Sequence, residues 1–224
     1  MWSFLYLKEG DGMMLGEATS FKIRWSDFIG GQYYDNKNVC EVSVKHLYGT
    51  SRDVADRART TIGLEEGERE VSDTYMKRMY LCEHSPIRTQ QYLIKIKCVP
   101  YSIAMHLVRH NQGIEKWVST NRDDRINIDS QGTRDRDLLP CDLEIQLNPQ
   151  SLINISRKRL CSCAHINTQM VWSLVQSAVR QINKPLAECM VRECVYRGFC
   201  PEFKKCSFFG SKSYEGQRKL LIEV

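Results

Sequence analysis

Between Gln91 and Cys98 the chain alternates, with Tyr92, Ile94, Ile96 and Cys98 on one side and Leu93, Lys95 and Lys97 on the other. A period of two fits only an extended strand whose one face is covered. Pro100 follows at once, suited to the first turn of a helix. Ile103, Ala104, Leu107 and Val108 then recur at helical spacing, so a helix is expected to deliver Arg109-His110 at its C-terminal end. Later, Met170, Val171, Leu174, Val175, Ala178, Val179 and Ile182 give the strongest amphipathic helical pattern in the chain, over Thr168 to Ile182. Strands and helices mix without a βαβ rhythm, which points to an α+β fold.

Other elements are weaker but legible. Val39 to Val44 alternates in part and reads as a strand. Thr50 or Ser51 is placed to cap a helix running to about Thr61, with Val54, Ala55 and Ala58 on one face, and Gly63 and Gly67 end it. A second helix is expected from about Glu70 to Cys82, burying Val71, Tyr75, Met79 and Leu81 or their neighbours, with Pro86 beyond its end. Ser119 to Asp137 has almost nothing to bury and reads as a long loop. The chain becomes regular again at Leu138-Leu139-Pro140.

With 224 residues, one well-cored domain is expected over 1–224. A hydrophobic fraction of 42% and a charged fraction of 26% exclude a disordered chain. The formal net charge of +5 is modest for a nucleic-acid binder and suits a small anionic ligand. Met1 to Leu7 is apolar but has no basic leader, so it reads as an edge strand rather than a signal peptide. No apolar run approaches the roughly 20 residues that cross a bilayer. The expectation is a cytoplasmic protein without a membrane partner, and with nucleic acid disfavoured. Trp117, Trp172 and the Tyr33-Tyr34 pair are expected in core, interface or edge-strand positions rather than stacked on a ligand.

Ten cysteines punctuate the chain. Cys40, Cys82, Cys98 and Cys141 are scattered and read as small hydrophobes, and a disulfide framework is not expected in a reducing compartment. The last six crowd a C-terminal elaboration at about 186–224 and the stretch just before it. Their spacings are not those of a zinc knuckle or ribbon. In space, though, Cys161 or Cys163 could face Cys194, Cys200 and Cys206. That leaves two readings: structural zinc at Cys161, Cys194, Cys200 and Cys206, or reduced thiols.

The basic residues carry the functional signal. Arg109-His110-Asn111 ends a helix, Ser119-Thr120-Asn121-Arg122 follows, and Arg134, Arg136, Arg157, Lys158 and Arg159 come later. Guanidinium forks match phosphate oxygens, and backbone amides at a Ser-Thr turn suit an anion. No Walker loop, no G-x-G-x-x-G after a strand and no Ser-His-Asp arrangement is present. The residues alone therefore support either a phosphate-bearing ligand or a solvated basic surface.

Two blocks add a family resemblance. His84-Ser85-Pro86, the following strand, and then His106-Leu-Val-Arg109-His110-Asn111 with Ser119 after seven further residues resemble the Arg-His-Arg-x7-Ser signature of flavin-dependent thymidylate synthases (ThyX). Arg136-Asp-Leu-Leu-Pro140 is similar to that family's Arg-x-x-Leu-Pro segment. Asn148-Pro-Gln150-Ser-Leu-Ile-Asn154-Ile-Ser-Arg-Lys-Arg159 is similar to its Asn-x-Arg-Ser-Leu-x-Asn-x4-Arg helix. Together they span about Ser85 to Arg159, with a looser likeness at Ala55-Asp-Arg-Ala-Arg59.

The resemblance implies a mixed α/β homotetramer with sites formed between subunits. It implies FAD as cofactor and dUMP as substrate, with NADPH and methylenetetrahydrofolate as co-substrates, and transfer of a one-carbon unit to uracil C5 to make dTMP. The cofactors would do the hard chemistry and the protein would position them. By position, Ser85, Arg109, His110, Asn111, Asn148 and Asn154 would face FAD. His106, Ser119, Arg122, Arg136 and Arg159 would face the nucleotide, with Arg136 on the phosphate and Arg159 at the pyrimidine, where its charge would stabilise a developing anion. Arg159 and Ser119 are the catalytic candidates, and His84 and His165 could line the site. Several positions depart from the pattern. Asn111 stands for the third motif Arg, His106 for Gln, Arg88 for an acidic residue, and Gln150 for an Arg. Asn121 falls at the phosphate-loop Arg, where Arg122 or Arg125 would substitute. The departures gather on the flavin side, which leaves open a related C5 modification such as hydroxymethylation, or a non-catalytic nucleotide-binding homologue.

Overall fold

The structure, a computed structural model, describes residues 20–29, 37–120 and 138–223. Five strands are assigned among them: β1 (Phe21–Arg24), β2 (Val39–Tyr48), β3 (Gln91–Pro100), β4 (Ile114–Val118) and β5 (Pro140–Leu147). They form one antiparallel sheet in the order β1-β2-β3-β5-β4. The alternation read from the sequence sets its faces. Cys40, Val42 and Val44, Tyr92, Ile94 and Ile96, and Cys141, Leu143, Ile145 and Leu147 are all buried. The other face carries charge, with Lys95 paired to Glu144 at 3.0 Å on adjacent strands.

The helices are α1 (Ser51–Thr60), α2 (Asp73–Leu81), α3 (Tyr101–Val108), α4 (Pro149–Arg159), α5 (Ile166–Ile182), α6 (Lys184–Cys189), α7 (Glu193–Arg197) and α8 (Lys212–Ile222). Short 3-10 turns lie at Trp25–Asp27 and Ser85–Thr89. The amphipathic pattern at 168–182 becomes α5, whose Val171, Trp172, Val175, Ala178 and Val179 are buried in the main core. At α1, Thr50 closes a reciprocal capping box with Asp53, as the sequence suggests. Gly49 enters that helix at φ +86°, and a Cβ there would sit 2.4 Å from the Thr89 carbonyl oxygen. Only glycine fits this close approach.

Three expectations change. The second helix starts at Asp73, because Ser72 caps it through the Tyr75 amide. Its buried residues are Met76, Lys77, Met79 and Tyr80, while Tyr75 is exposed and Val71 precedes the helix. Lys77 is buried because its ammonium donates to the Leu220 and Glu223 carbonyls and pairs with Glu188, which satisfies the charge. Pro100 is the last residue of β3 and the N-cap of α3 rather than its first turn. Cys82 is exposed, unlike the buried Cys40 and Cys141. The expected edge strand at Met1–Leu7, the Tyr33-Tyr34 pair and the loop from 121 to 137 lie outside the described residues. None of the described helices is long and apolar enough to cross a membrane.

A cationic centre where two helices end

The two sequence blocks meet through the ends of α3 and α4. Helix α3 stops at Arg109, and Gly113 turns the chain into β4 at φ +64°. A Cβ on Gly113 would come within 3.0 Å of Ser151 Oγ and 3.1 Å of Asn148 Nδ2. The Ser151 hydroxyl hydrogen-bonds to the Gln112 carbonyl at 2.8 Å, and the Asn148 side chain caps α4 by accepting from the Ser151 amide. The turn after one helix is thus sewn to the start of the other.

At its far end α4 returns Arg159 to α3. Arg159 Nε donates to His110 Nε2 at 2.9 Å, and its Nη2 donates to the His106 carbonyl. A cation at a helix C-terminus is favoured by the unsatisfied carbonyls there, and Arg159 serves both helices. Lys116 does the same from β4, donating to the carbonyls of Val108 and His110, each at 2.6 Å, and to Asn111 Oδ1 at 2.5 Å. His106 shares a hydrogen bond with Thr168 Oγ1 at 2.8 Å through Nδ1, and its ring lies 5.2 Å from that of His165.

Burial and two neighbouring cations, Arg159 and Lys116, pull the His110 imidazole down to about 4. Burial, His165, Arg159 and Arg109 lower His106 in the same direction. His110 therefore stays neutral at pH 7 and can accept from Arg159. Among the described residues no carboxylate pairs with Arg109, Lys116 or Arg159. The result is a concentration of positive charge around two imidazoles, which suits an anionic ligand. Arg159 Nη1 has no partner among the described residues and stays available to one.

His106, Arg109, His110, Asn111 and Arg159 thus come together, with Asn148 joined through the Gly113 turn. Asn154 belongs to another face of α4, where Gln150 and Arg157 both engage Glu83 and Arg157 Nη1 donates to Asn154 Oδ1 at 3.3 Å. Glu83 adopts φ +53°, a left-handed conformation beyond the end of α2. Ser85 is exposed at the 3-10 turn beside it. Ser119 is exposed at the end of β4 and bonded to β5, with its Oγ accepting from the Asp142 amide at 2.8 Å. The hydrogen bonds of the described residues do not link Ser85, Ser119 or Asn154 to the Arg159 centre. Arg122, Arg125 and Arg136 lie outside the described residues.

Sequence reasoning missed Lys116, Thr168 and Glu83. Lys116 carried no clear signal, since it lies eight residues beyond Val108 and reaches the carbonyls at the end of α3 only because Gly113 turns β4 back along it. Trp172 is in the core, one of its expected places, and Trp117 is 53% exposed on the edge strand β4. His84 begins the 3-10 turn without a side-chain cap. Among the described residues, no group of three or more His, Cys, Asp or Glu side chains stands ready to hold a metal ion.

No protein-family profile matches the chain, and no curated protein sequence matches it either. Solved structures do. A thymidylate synthase X (ThyX) from Helicobacter pylori with FAD and dUMP superposes with TM-score 0.51 at 12% identity, over 64% of this chain and 98% of its own. A second structure of that enzyme, again complexed with FAD and dUMP, gives 0.52 at 14% identity over 66% and 99%. A UMP/dUMP methylase, PolB from Streptomyces cacaoi, bound with 5-Br dUMP, gives 0.50 at 12% over 70% and 95%. The protein therefore has a ThyX-like α+β fold. Nearly the whole of each neighbour is spanned, and about a third of this chain is not covered by the match.

Proposed function

We propose that the protein is a uracil-nucleotide enzyme of the flavin-dependent thymidylate synthase type, carrying a one-carbon unit from methylenetetrahydrofolate to C5 of dUMP. The observation that carries this reading is the cationic centre of Arg109, Lys116 and Arg159 around two neutral imidazoles, with no carboxylate paired to it among the described residues, on a fold shared with proteins bound to dUMP or 5-Br dUMP.

Arg159 is the residue suited to the pyrimidine. His110 holds its Nε and the His106 carbonyl holds one Nη, so the guanidinium is oriented before a ligand arrives and need not be ordered by it. Its free Nη1 can donate to a uracil carbonyl, and its charge would stabilise the anion that develops as C5 gains nucleophilic character. Ser119, Arg122 and Arg136 would hold the phosphate, and His106 would line the nucleotide side. Flavin fits the same positive centre, since its diphosphate is anionic, and Ser85, Arg109, His110, Asn111, Asn148 and Asn154 would hold it. When bound, FAD reduced by NADPH would supply the hydride that completes the methyl group. A homotetramer with sites between subunits accompanies this reading.

One observation favours a second outcome at the same site. Asn111 is engaged by Lys116, and Gln150 by Glu83, so two flavin-side positions are tied within the chain. Hydroxymethylation of dUMP, which uses the folate carbon without the final reduction, would tolerate this. The test is release of the C5 proton from dUMP by purified protein, with flavin absorbance recorded and the product weighed by mass spectrometry. Proton release with dTMP supports methyl transfer, and proton release with hydroxymethyl-dUMP supports the second outcome. Binding of dUMP with no proton release in the presence of folate, flavin and NADPH overturns the enzymatic reading.

A further inference from the structure

Lys116 is half-buried on the edge strand β4, and its ammonium meets three acceptors: the carbonyls of Val108 and His110 and the side-chain oxygen of Asn111. An ammonium carries three protons and no acceptor, so these contacts use all of its donors. Lys116 has none left for a ligand, although its charge lies in the cationic centre.

The contact at 2.5 Å with Asn111 Oδ1 settles how that amide faces. A carboxamide offers an acceptor at its oxygen and two donors at its nitrogen. Because an ammonium can only donate, the oxygen must face Lys116, and the nitrogen is turned away from it. That nitrogen has no partner among the described residues, and Asn111 is exposed. An exposed amide on its own can flip between donating and accepting, whereas one backed by a fixed cation loses a charge-assisted bond if it flips. The ammonium also polarises the amide, which makes its N–H groups better donors.

The backbone is held by the same lysine. Its bond to the His110 carbonyl engages the peptide group that leads into Asn111. On the ring of His110, Nε2 accepts from Arg159 Nε. His110 is thus accompanied by two open donors, the neutral amide of Asn111 and the charged Nη1 of Arg159.

We propose that Lys116 is a positioning residue, which locks Asn111 as a hydrogen-bond donor to an anionic oxygen of a phosphate-bearing ligand. This rests on the nucleotide reading, and the phosphate belongs either to dUMP or to the diphosphate of FAD. The charge of the lysine reaches the ligand through a neutral amide rather than by contact.

The test is binding of dUMP by calorimetry and of FAD by flavin fluorescence, each to the full chain. Asn111→Asp keeps an oxygen for Lys116 but turns a second oxygen outwards, and should weaken the ligand that Asn111 meets at least about tenfold. Asn111→Ala should weaken it less, by about two- to tenfold. A purely structural Asn111 gives the reverse order, since Asp preserves the contact with Lys116 and Ala loses it, and that order overturns the donor role. Gln112→Glu adds the same charge one residue away and should cost less than Asn111→Asp. An equal cost would reduce the effect to net charge and overturn the donor role too. Lys116→Met should weaken the same ligand, and should do so much less in the Asn111→Ala background, because the lysine acts through the amide. Additive losses overturn the positioning role. The ligand that loses more affinity tells which phosphate Asn111 meets. Wild-type binding that is indifferent to Asn111→Asp overturns this inference alone, whereas a wild-type chain that binds neither ligand overturns the nucleotide reading with it.

Discussion

Arg159 donates to an imidazole that must be neutral to accept, so the cationic centre carries its own pH dependence. His110 lies near 4 in the folded protein, with burial as the first cause, against about 6.5 in an unfolded chain. As pH falls from about 6.5 the unfolded chain takes up the proton first, and stability declines until about pH 4. His106 shifts in the same direction. Urea midpoints at pH 7.5 and 5.0 should therefore separate for the wild type and separate less for His110→Asn. Equal separation would show that His110 is not buried in its neutral form. Arg159→Ala should abolish dUMP binding, or weaken it at least about tenfold, which corresponds to about 1.4 kcal/mol; calorimetric titration decides. Arg159→Lys should not restore it, because an ammonium cannot reproduce the fork that meets His110, the His106 carbonyl and a ligand together. In the core, the buried Trp172 indole donates to Ser156 Oγ at 2.9 Å. Ser156→Ala strands that donor and should destabilise the fold by about 1–3 kcal/mol in chemical denaturation.

Elements owe their ends to local chemistry and their neighbours to close approaches. The Thr50 cap and the alternation of β3 are visible in the chain, whereas the Ser72 and Asn148 caps emerge from the structure. The packing of the β2–α1 junction against Thr89 is not visible in the chain, since nothing near Gly49 announces a partner forty residues away. Gly49→Ala would place a left-handed alanine against that carbonyl and should lower stability by at least about 1–2 kcal/mol. A thermal melt unchanged from wild type would show that the junction relaxes freely. The start of α2 at Asp73, later than the hydrophobic spacing suggests, has a related cause. Its hydrophobic spacing also fits the residues before Ser72, and the cap decides where the helix begins.

For the whole molecule, one sheet face and its helices supply the main core, with α5 packed against β1 and β2, and a small second cluster lies between α7 and α8. Ile94 sits in β3 between two partner strands and is fully buried. Ile94→Ala should destabilise by about 2–5 kcal/mol, and the loss should appear equally in far-ultraviolet circular dichroism and tryptophan fluorescence if sheet and helices unfold together. Non-coincident curves would mean that the C-terminal helices unfold separately from the sheet.

The sequence by itself determined the α+β class, the alternating faces of β3, the Thr50 cap and the long α5, because these follow from residue spacing and local hydrogen bonding. It also carried Arg109-His110 and Asn148-to-Arg159 as two blocks of one family pattern. Only the tertiary structure decided that Arg159 grips His110, that Lys116 closes the end of α3, and that Glu83 takes up Gln150 and Arg157. The Arg159 and Glu83 contacts join residues tens of positions apart, the Lys116 contacts depend on the turn at Gly113, and no periodicity records which carbonyl or imidazole a side chain will find.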